Sequence, residues 1–483
     1  MVRTLMLQGT GSDVGKTVLV AGLCRVARNR GLKVVPFKPQ NMSNNAAVAD
    51  DGGEIGRGQW LQALAAGIAS SVHMNPVLLK PESEIGSQVI VHGRLYCYTK
   101  GQSYQKLKQK LLKMVMHSYR QLQQEADLIL AEGAGSPAEI NLRSGDIANM
   151  GFATAAGIPV LLIGDIDRGG VIASIVGTHT ILAKEDRRLI AGYLINKFCG
   201  DIALFKDGFA AIHAFTGWRS FGVVPWLWHA AILPAEDSLM LNHYHFTACR
   251  NIKIAVPLTP RIANFDDFDS LGSEEDVELL FIKRGQPIPP VDLVLLAGSK
   301  STIADMRDFH DYGWSEDIHR HVRRGGMVVG LCGGFQMLGK TIRDPWSGEG
   351  EQKEIAGLGL LNIETVMQKT KMVRNAAGYI PIFNETVSGY EIHLGLTDGP
   401  DCAQAPVILE GRPDGASSPD GRIWGTYLHG IFSSGGFRRK FLQMLGGDSD
   451  GKTHNEKIDK ALDNIAETLE RTIDIDAIFA LAQ

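Results

Sequence analysis

The sequence contains no CxxC pair. Its six cysteines, Cys24, Cys97, Cys199, Cys249, Cys332 and Cys402, stand singly along the chain. That spacing offers no zinc ribbon and no disulfide framework, and it makes a reducing cytoplasm the expected compartment. Long apolar runs are also missing: none approaches the roughly 18 residues that a membrane span requires, so no membrane partner is expected. Neither sign of charge is in excess. With 49 Lys and Arg against 53 Asp and Glu, the net charge is −4, which leaves no electrostatic case for a nucleic-acid or polyanion partner. There is no internal repeat or low-complexity tract. The opening Met1-Val2-Arg3-Thr4-Leu5-Met6-Leu7-Gln8-Gly9 runs straight into a glycine-rich loop, and no cleavable signal is expected.

What remains is an α/β pattern. A chain of 483 residues, 44% of them hydrophobic, is too long for one ordinary core, so two domains are expected. Short apolar runs at 4–7, 33–37, 128–131, 160–163, 190–195 and 221–224 alternate with longer amphipathic stretches, the mark of a parallel sheet covered by helices. Residues 104–124 form a long helical pattern with Leu107, Leu111, Leu112, Val115 and Tyr119 on one side; its lysines belong to a solvated face. A second alternating series occupies 252–256, 292–296, 327–331 and 422–426. The expected organisation is a nucleotide domain over 1–235, a linker over 234–250, a second α/β domain over 251–445, and a helical surface appendage over 446–483.

The first series opens on Gly9-Thr10-Gly11-Ser12-Asp13-Val14-Gly15-Lys16-Thr17, between a strand and a helix. This is a variant phosphate-binding loop: Gly9 comes one position early and Thr10 takes the usual glycine site. The chemistry survives the change, because small residues still let successive N–H groups converge on phosphate at a helix N-terminus. Thr10, Asp13, Gly15, Lys16 and Thr17 are therefore candidate ATP-binding residues. Lys16 would neutralise the terminal phosphates, and the Thr17 hydroxyl would join a Mg²⁺ shell. The polar run Lys38-Pro39-Gln40-Asn41-Met42-Ser43 leaves the second strand, where ligands of parallel sheets collect. Glu132 follows another buried strand and suits Mg²⁺.

The second series carries Val328-Val329-Gly330-Leu331-Cys332-Gly333-Gly334-Phe335, a strand, a sharp turn and a helix. Cys332 stands where a nucleophile elbow would place it. The N–H of Gly333 and the flexible exit around Gly298 would form an oxyanion site. His429, at the end of the 422–426 strand, is the candidate base.

Together these residues resemble a known family. The first half looks like the dethiobiotin-synthetase type of P-loop ATPase, and the second like a triad-type (class I) glutamine amidotransferase. The combination is similar to the cobyric acid synthases of the cobalamin pathway. Phe37-Lys38-Pro39-Gln40-Asn41-Met42-Ser43, Gly52-Gly53-Glu54-Ile55-Gly56-Arg57, Asp165-Ile166-Asp167-Arg168-Gly169-Gly170, Pro260-Arg261-Ile262-Ala263-Asn264-Phe265 and Gly389-Tyr390-Glu391-Ile392-His393 carry that resemblance over nearly the whole chain. It implies two doubly wound parallel-sheet domains, an N-terminal P-loop domain and a C-terminal amidotransferase domain. It also implies an ATP- and glutamine-dependent ligase that amidates the b, d, e and g carboxylates of adenosylcobyrinic acid a,c-diamide. The substrates are then that corrinoid and L-glutamine, with ATP and Mg²⁺ as cofactors. By the same resemblance Lys38 joins Lys16 on the phosphates, Thr17, Glu54 and Glu132 hold Mg²⁺, and Asp146 serves carboxylate handling or ATP coupling.

Two departures stand out. The triad glutamate usually found two residues after the histidine is replaced by Ile431, which leaves the group orienting His429 open; Glu391 is one candidate. Ala297 replaces a commoner proline. The rival readings are cobyrinic acid a,c-diamide synthase, against which the Gln40-Asn41-Met42-Ser43 run speaks, and a P-loop switch ATPase, which has no use for Cys332.

Overall fold

The computed structural model describes residues 2–81, 86–234, 251–346 and 352–482. The chain divides into two compact units. The first comprises Met1–Ser43, Ala49–Pro234 and Ile458–Gln483; the second comprises Asn44–Val48 and Ala235–Lys457. Apart from Pro234, the expected linker over 234–250 lies outside the described residues.

The first unit is built on a six-stranded parallel sheet. Its order is Arg219–Pro225, Ile190–Phe198, Val160–Asp165, Arg3–Gly9, Leu128–Glu132, Val34–Phe37. Every expected strand is present. Side chains alternate between two buried faces, as the period of two requires. Leu5, Leu7, Leu128, Leu130, Leu161 and Ile163 enter one core; Met6, Ile129, Ala131, Val160 and Leu162 enter the other. Burial on both faces is why these strands read as continuous apolar runs. The long helix spans Gly101–Leu122, with Leu111, Val115 and Tyr119 buried against the second core. A smaller sheet of Gln40–Met42, Val77–Pro81, Gly86–Val91 and Arg94–Lys100 was not foreseen in the sequence.

The C-terminal segment corrects the expectation of a surface appendage. Ile458, Leu462, Ile465 and Leu469 recur at helical spacing and are buried in the first unit's core with Leu19, Val20 and Leu23 of the Lys16–Asn29 helix. The opposite face carries enough charge to make the segment look polar in sequence. Two of those charges lock the contact: Arg25, itself buried, pairs with Asp459 and with Asp463 (3.0 Å).

The second unit has its own six-stranded sheet, in the order Val277–Ile282, Ile252–Pro257, Leu293–Leu296, Met327–Leu331, Ile423–Thr426, Ala416–Ser417. All pairings are parallel except the last. Its two faces are again both buried, with Ile254, Leu293, Leu295 and Val329 on one side and Ala255, Val294, Leu296 and Val328 on the other. An antiparallel hairpin of Glu364–Ile380 and Glu385–Asp398 belongs to a further sheet, and it carries Tyr390, Glu391 and His393.

Replacing Leu462 with Ala opens a cavity between the C-terminal helix and the Lys16–Asn29 helix. We expect a loss of about 2–5 kcal/mol, read as an earlier urea unfolding transition. An unchanged midpoint would place the C-terminal helix outside the core.

Candidate active sites

The phosphate loop is held by the strand ends beside it. Asn196 Nδ2 donates to Val14 O (2.8 Å), and Lys197 Nζ donates to Asp13 O (2.6 Å) and to the Asp165 carboxylate (2.8 Å). Gly15 caps the following helix at φ 92°, and a β-carbon there would lie 2.3 Å from Asn196 Nδ2. Both the positive φ and the close approach demand glycine. Thr10 N donates to Ile163 O (2.9 Å), and the Asp13 side chain meets Arg168 at 3.2 Å.

Within this frame Lys16 folds over its own loop, donating to Gly11 O (2.9 Å) and Gly135 O (3.1 Å). Thr17, Lys38 and Gln62 converge on one fully buried carboxylate. Thr17 Oγ1 and Lys38 Nζ reach Glu132 Oε1 at 2.8 and 2.9 Å, and Gln62 Nε2 reaches Oε2 at 2.6 Å. A carboxylate and a hydroxyl in contact at a strand end form a hard-oxygen pair. That donor set fits Mg²⁺, which uses one or two carboxylates and completes its shell with phosphate and water. Among the described residues no group of three His, Cys, Asp or Glu side chains could hold a metal by itself.

Two expected residues have other employment. Glu54 forms a buried ion pair with Lys80 (2.6 Å), which neutralises its charge within the protein. Asp146 accepts from the backbone N–H groups of Ala148 (2.8 Å), Asn149 (3.1 Å) and Gly151 (2.7 Å). It thereby ties down the start of the Met150–Ala156 helix, whose first N–H groups lack helical acceptors. Its geometry is that of a cap.

In the second unit Cys332 joins the Met327–Leu331 strand to the Gly333–Leu338 helix at φ 52° and ψ −105°. That backbone is sparsely populated for any residue with a β-carbon, and such strain is retained where it aims a side chain. Gly333 allows the turn to press against the neighbouring strand exit, since a β-carbon there would lie 2.7 Å from Ser299 N. Gly298 faces the histidine: its β-carbon would lie 3.0 Å from His429 Cε1. The Gly298–Ser299 segment is itself pinned. It pairs with Ile262–Ala263, and Ser299 Oγ donates to the buried Asp305 carboxylate (2.6 Å).

His429 is buried, and the nearby Cys332, whose Sγ donates to Ile392 O (3.6 Å), acts on it electrostatically. Its Nδ1 meets Asp267 Oδ2 at 2.7 Å, while Asp267 Oδ1 accepts from Gly430 N at 2.5 Å. Burial pulls the imidazole's pKa down, but the Asp267 carboxylate and Cys332 outweigh it and raise it to about 10. Cys332, His429 and Asp267 thus come together as candidate nucleophile, base and orienting acid, an arrangement suited to activating a thiol for attack on a carbonyl.

Asp267 was missed in the sequence. It stands two residues past the Pro260-to-Phe265 motif, but 162 residues separate it from His429, and no local spacing connects them. Glu391 does not take this place. It is buried among Arg374 (2.5 Å), Arg412 (2.6 Å) and His393 (3.5 Å).

Comparison with known proteins agrees with both halves. Residues 5–240 match the CobQ/CobB/MinD/ParA nucleotide binding domain, and residues 253–437 match the CobB/CobQ-like glutamine amidotransferase domain. Cobyric acid synthase of Sinorhizobium fredii is 60% identical over 475 residues, covering 98% of each chain. That of Rhizobium leguminosarum bv. trifolii is 61% identical with the same coverage. That of Brucella anthropi is 60% identical over 482 residues and the full length of both chains. The chain belongs to the cobyric acid synthase family. It is accordingly a glutamine-dependent ligase of cobalamin biosynthesis, in which a nucleotide-binding domain precedes an amidotransferase domain. Among the described residues, no helix is long and apolar enough to cross a membrane.

Two outcomes test the Asp267–His429 contact in this family member. Asp267→Asn leaves the imidazole without its anionic partner, and glutamine hydrolysis should fall roughly 10³–10⁴-fold. The pair also links stability to pH. Because the folded pKa is raised from 6.5 to about 10, the ion pair's stabilisation is complete below 6.5 and is lost as pH rises through about 10. Urea unfolding of the wild type should weaken across that window, and Asp267→Asn should flatten the dependence.

Proposed function

We propose that this protein amidates the b, d, e and g carboxylates of adenosylcobyrinic acid a,c-diamide, using ATP and glutamine, to give adenosylcobyric acid. The buried Cys332–His429–Asp267 chain carries the reading, because a thiol so activated has a purpose only if something consumes the ammonia it frees. The phosphate loop in the same polypeptide supplies that something.

A carboxylate is a poor electrophile because its oxygen leaves badly. Transfer of the ATP terminal phosphoryl group to a carboxylate oxygen gives an acyl phosphate and ADP; attack by ammonia then forms the amide and expels phosphate. Lys16 and Lys38 would neutralise the nucleotide phosphates, and the Thr10–Gly15 backbone would orient them. Thr17 and Glu132 would hold Mg²⁺, which when bound supplies charge stabilisation to the transferring phosphoryl group. Glu54, which meets Lys80, would join them at the Mg²⁺, and Asp146 would serve carboxylate handling or ATP coupling.

At the second site the Cys332 sulfur attacks the glutamine amide carbon. His429 passes a proton to the departing nitrogen, releasing ammonia and leaving a glutamyl thioester. Water then attacks the thioester, His429 takes its proton, and glutamate leaves with the sulfur restored to Cys332. The N–H of Gly333 and the backbone at Gly298 would receive the carbonyl oxygen at each tetrahedral stage. A free thiol nucleophile is in keeping with a reducing cytoplasm.

Mass spectrometry of the corrinoid tests the proposal. Wild type with ATP, Mg²⁺ and glutamine should add four amides. Cys332→Ala should do so only when ammonium replaces glutamine, and Lys16→Ala should fail with either nitrogen source. Amidation of cobyrinic acid, with none of its a,c-diamide, would transfer the assignment to the sister reaction.

A further inference from the structure

Asp267 is not the sole carboxylate near His429: a second one holds the ring that stacks on the imidazole. Its chain neighbour Asp266 accepts from the Tyr390 hydroxyl, at 3.1 Å to one oxygen and 3.2 Å to the other. The Tyr390 ring in turn stacks on the imidazole, with centroids 5.1 Å apart and planes within 15°. The two backbones are also stapled together: Tyr390 N donates to His429 O (3.1 Å), and His429 N donates to Tyr390 O (2.9 Å). Tyr390 is buried, so little water screens the contact.

The imidazole is therefore gripped in two directions. Asp267 holds its edge at Nδ1, and Tyr390 covers its face. The groups facing it are Asp267, Cys332 and Tyr390, with Asp266 behind the phenol. A phenol donating to a carboxylate gains electron density in its ring. A denser ring face attracts a cation stacked on it more strongly, and the attraction grows when the pair is out of water. The neutral imidazole gains far less from the same contact. The face-on partner thus discriminates between the two protonation states that His429 must visit.

We propose that Tyr390, with Asp266 behind it, is a positioning residue that fixes the ring plane of His429 and favours its imidazolium form. The inference rests on the reading of His429 as the proton-transfer partner of Cys332. It assigns a purpose to two residues, Asp266 and Tyr390, that the amidotransferase chemistry itself does not use. Tyr390→Phe keeps the stack and the backbone staple but removes the hydrogen bond to Asp266. Asp266→Asn keeps a hydrogen-bond acceptor but removes its charge.

The test is a nitrogen-15 NMR titration of His429 in the full-length protein and in each variant. In both variants the imidazole midpoint should fall by about one pH unit, the size of a partly desolvated cation–π contact. The alkaline limb of the glutamine-hydrolysis pH profile should move down by the same unit, while amidation driven by ammonium stays at the wild-type rate. A midpoint unmoved in both variants would overturn the proposal and reduce Tyr390 to packing. A midpoint that falls in both, in a protein whose wild type hydrolyses no glutamine, would leave the positioning role standing and overturn the amidotransferase reading.

Discussion

An imidazole sealed from water loses the hydration that makes its charged form affordable, and here the contact with Asp267 restores it. Much of the second unit's architecture follows from that one requirement. The carboxylate must arrive in the plane of the ring at Nδ1, so the turn after Asn264 must lie against the end of the Ile423–Thr426 strand. The same turn follows the Ile262–Ala263 segment, which pairs with Gly298–Ser299 and so fixes the wall facing His429. The strained Cys332 backbone sets the sulfur near enough to act on the ring's charge.

The first unit solves a comparable problem with a different polarity. There the buried charge is the Glu132 carboxylate, and the groups that stabilise it are the ammonium of Lys38, the hydroxyl of Thr17 and the amide of Gln62. A buried anion with this set of donors is both satisfied and exchangeable, because a metal ion can take over part of the task when it arrives with a nucleotide. Glu54 is buried as well and meets the ammonium of Lys80.

The parts of the structure that were legible in the sequence are those set by local pattern. Fully buried parallel strands advertise themselves as apolar runs, and the phosphate loop and the cysteine elbow are contiguous motifs whose residue types follow from backbone geometry. The illegible parts fall into two kinds. The C-terminal helix was misread because charges such as Asp459 and Asp463 mask the apolar stripe of Ile458, Leu462, Ile465 and Leu469; those same charges clasp Arg25 in the folded unit. The hairpin bearing Tyr390 and His393 was missed because its strands are partly exposed and interrupted by polar residues, so neither period dominates.

By itself, then, the sequence determined the α/β class and the order of the two domains along the chain, and it marked Lys16, Thr17, Cys332 and His429 as candidates, since each lies inside a short motif. Only the tertiary structure decided which groups complete the sites. Asp267 reaches His429 across 162 residues, and Glu132 reaches Thr17 across 115, because a parallel sheet gathers the ends of strands that are distant in sequence. It also showed what surrounds the other carboxylates: Glu391 meets arginines, Glu54 a lysine and Asp146 backbone N–H groups. Chemical type can be read from a residue's name. Its availability depends on what the fold places within hydrogen-bonding distance.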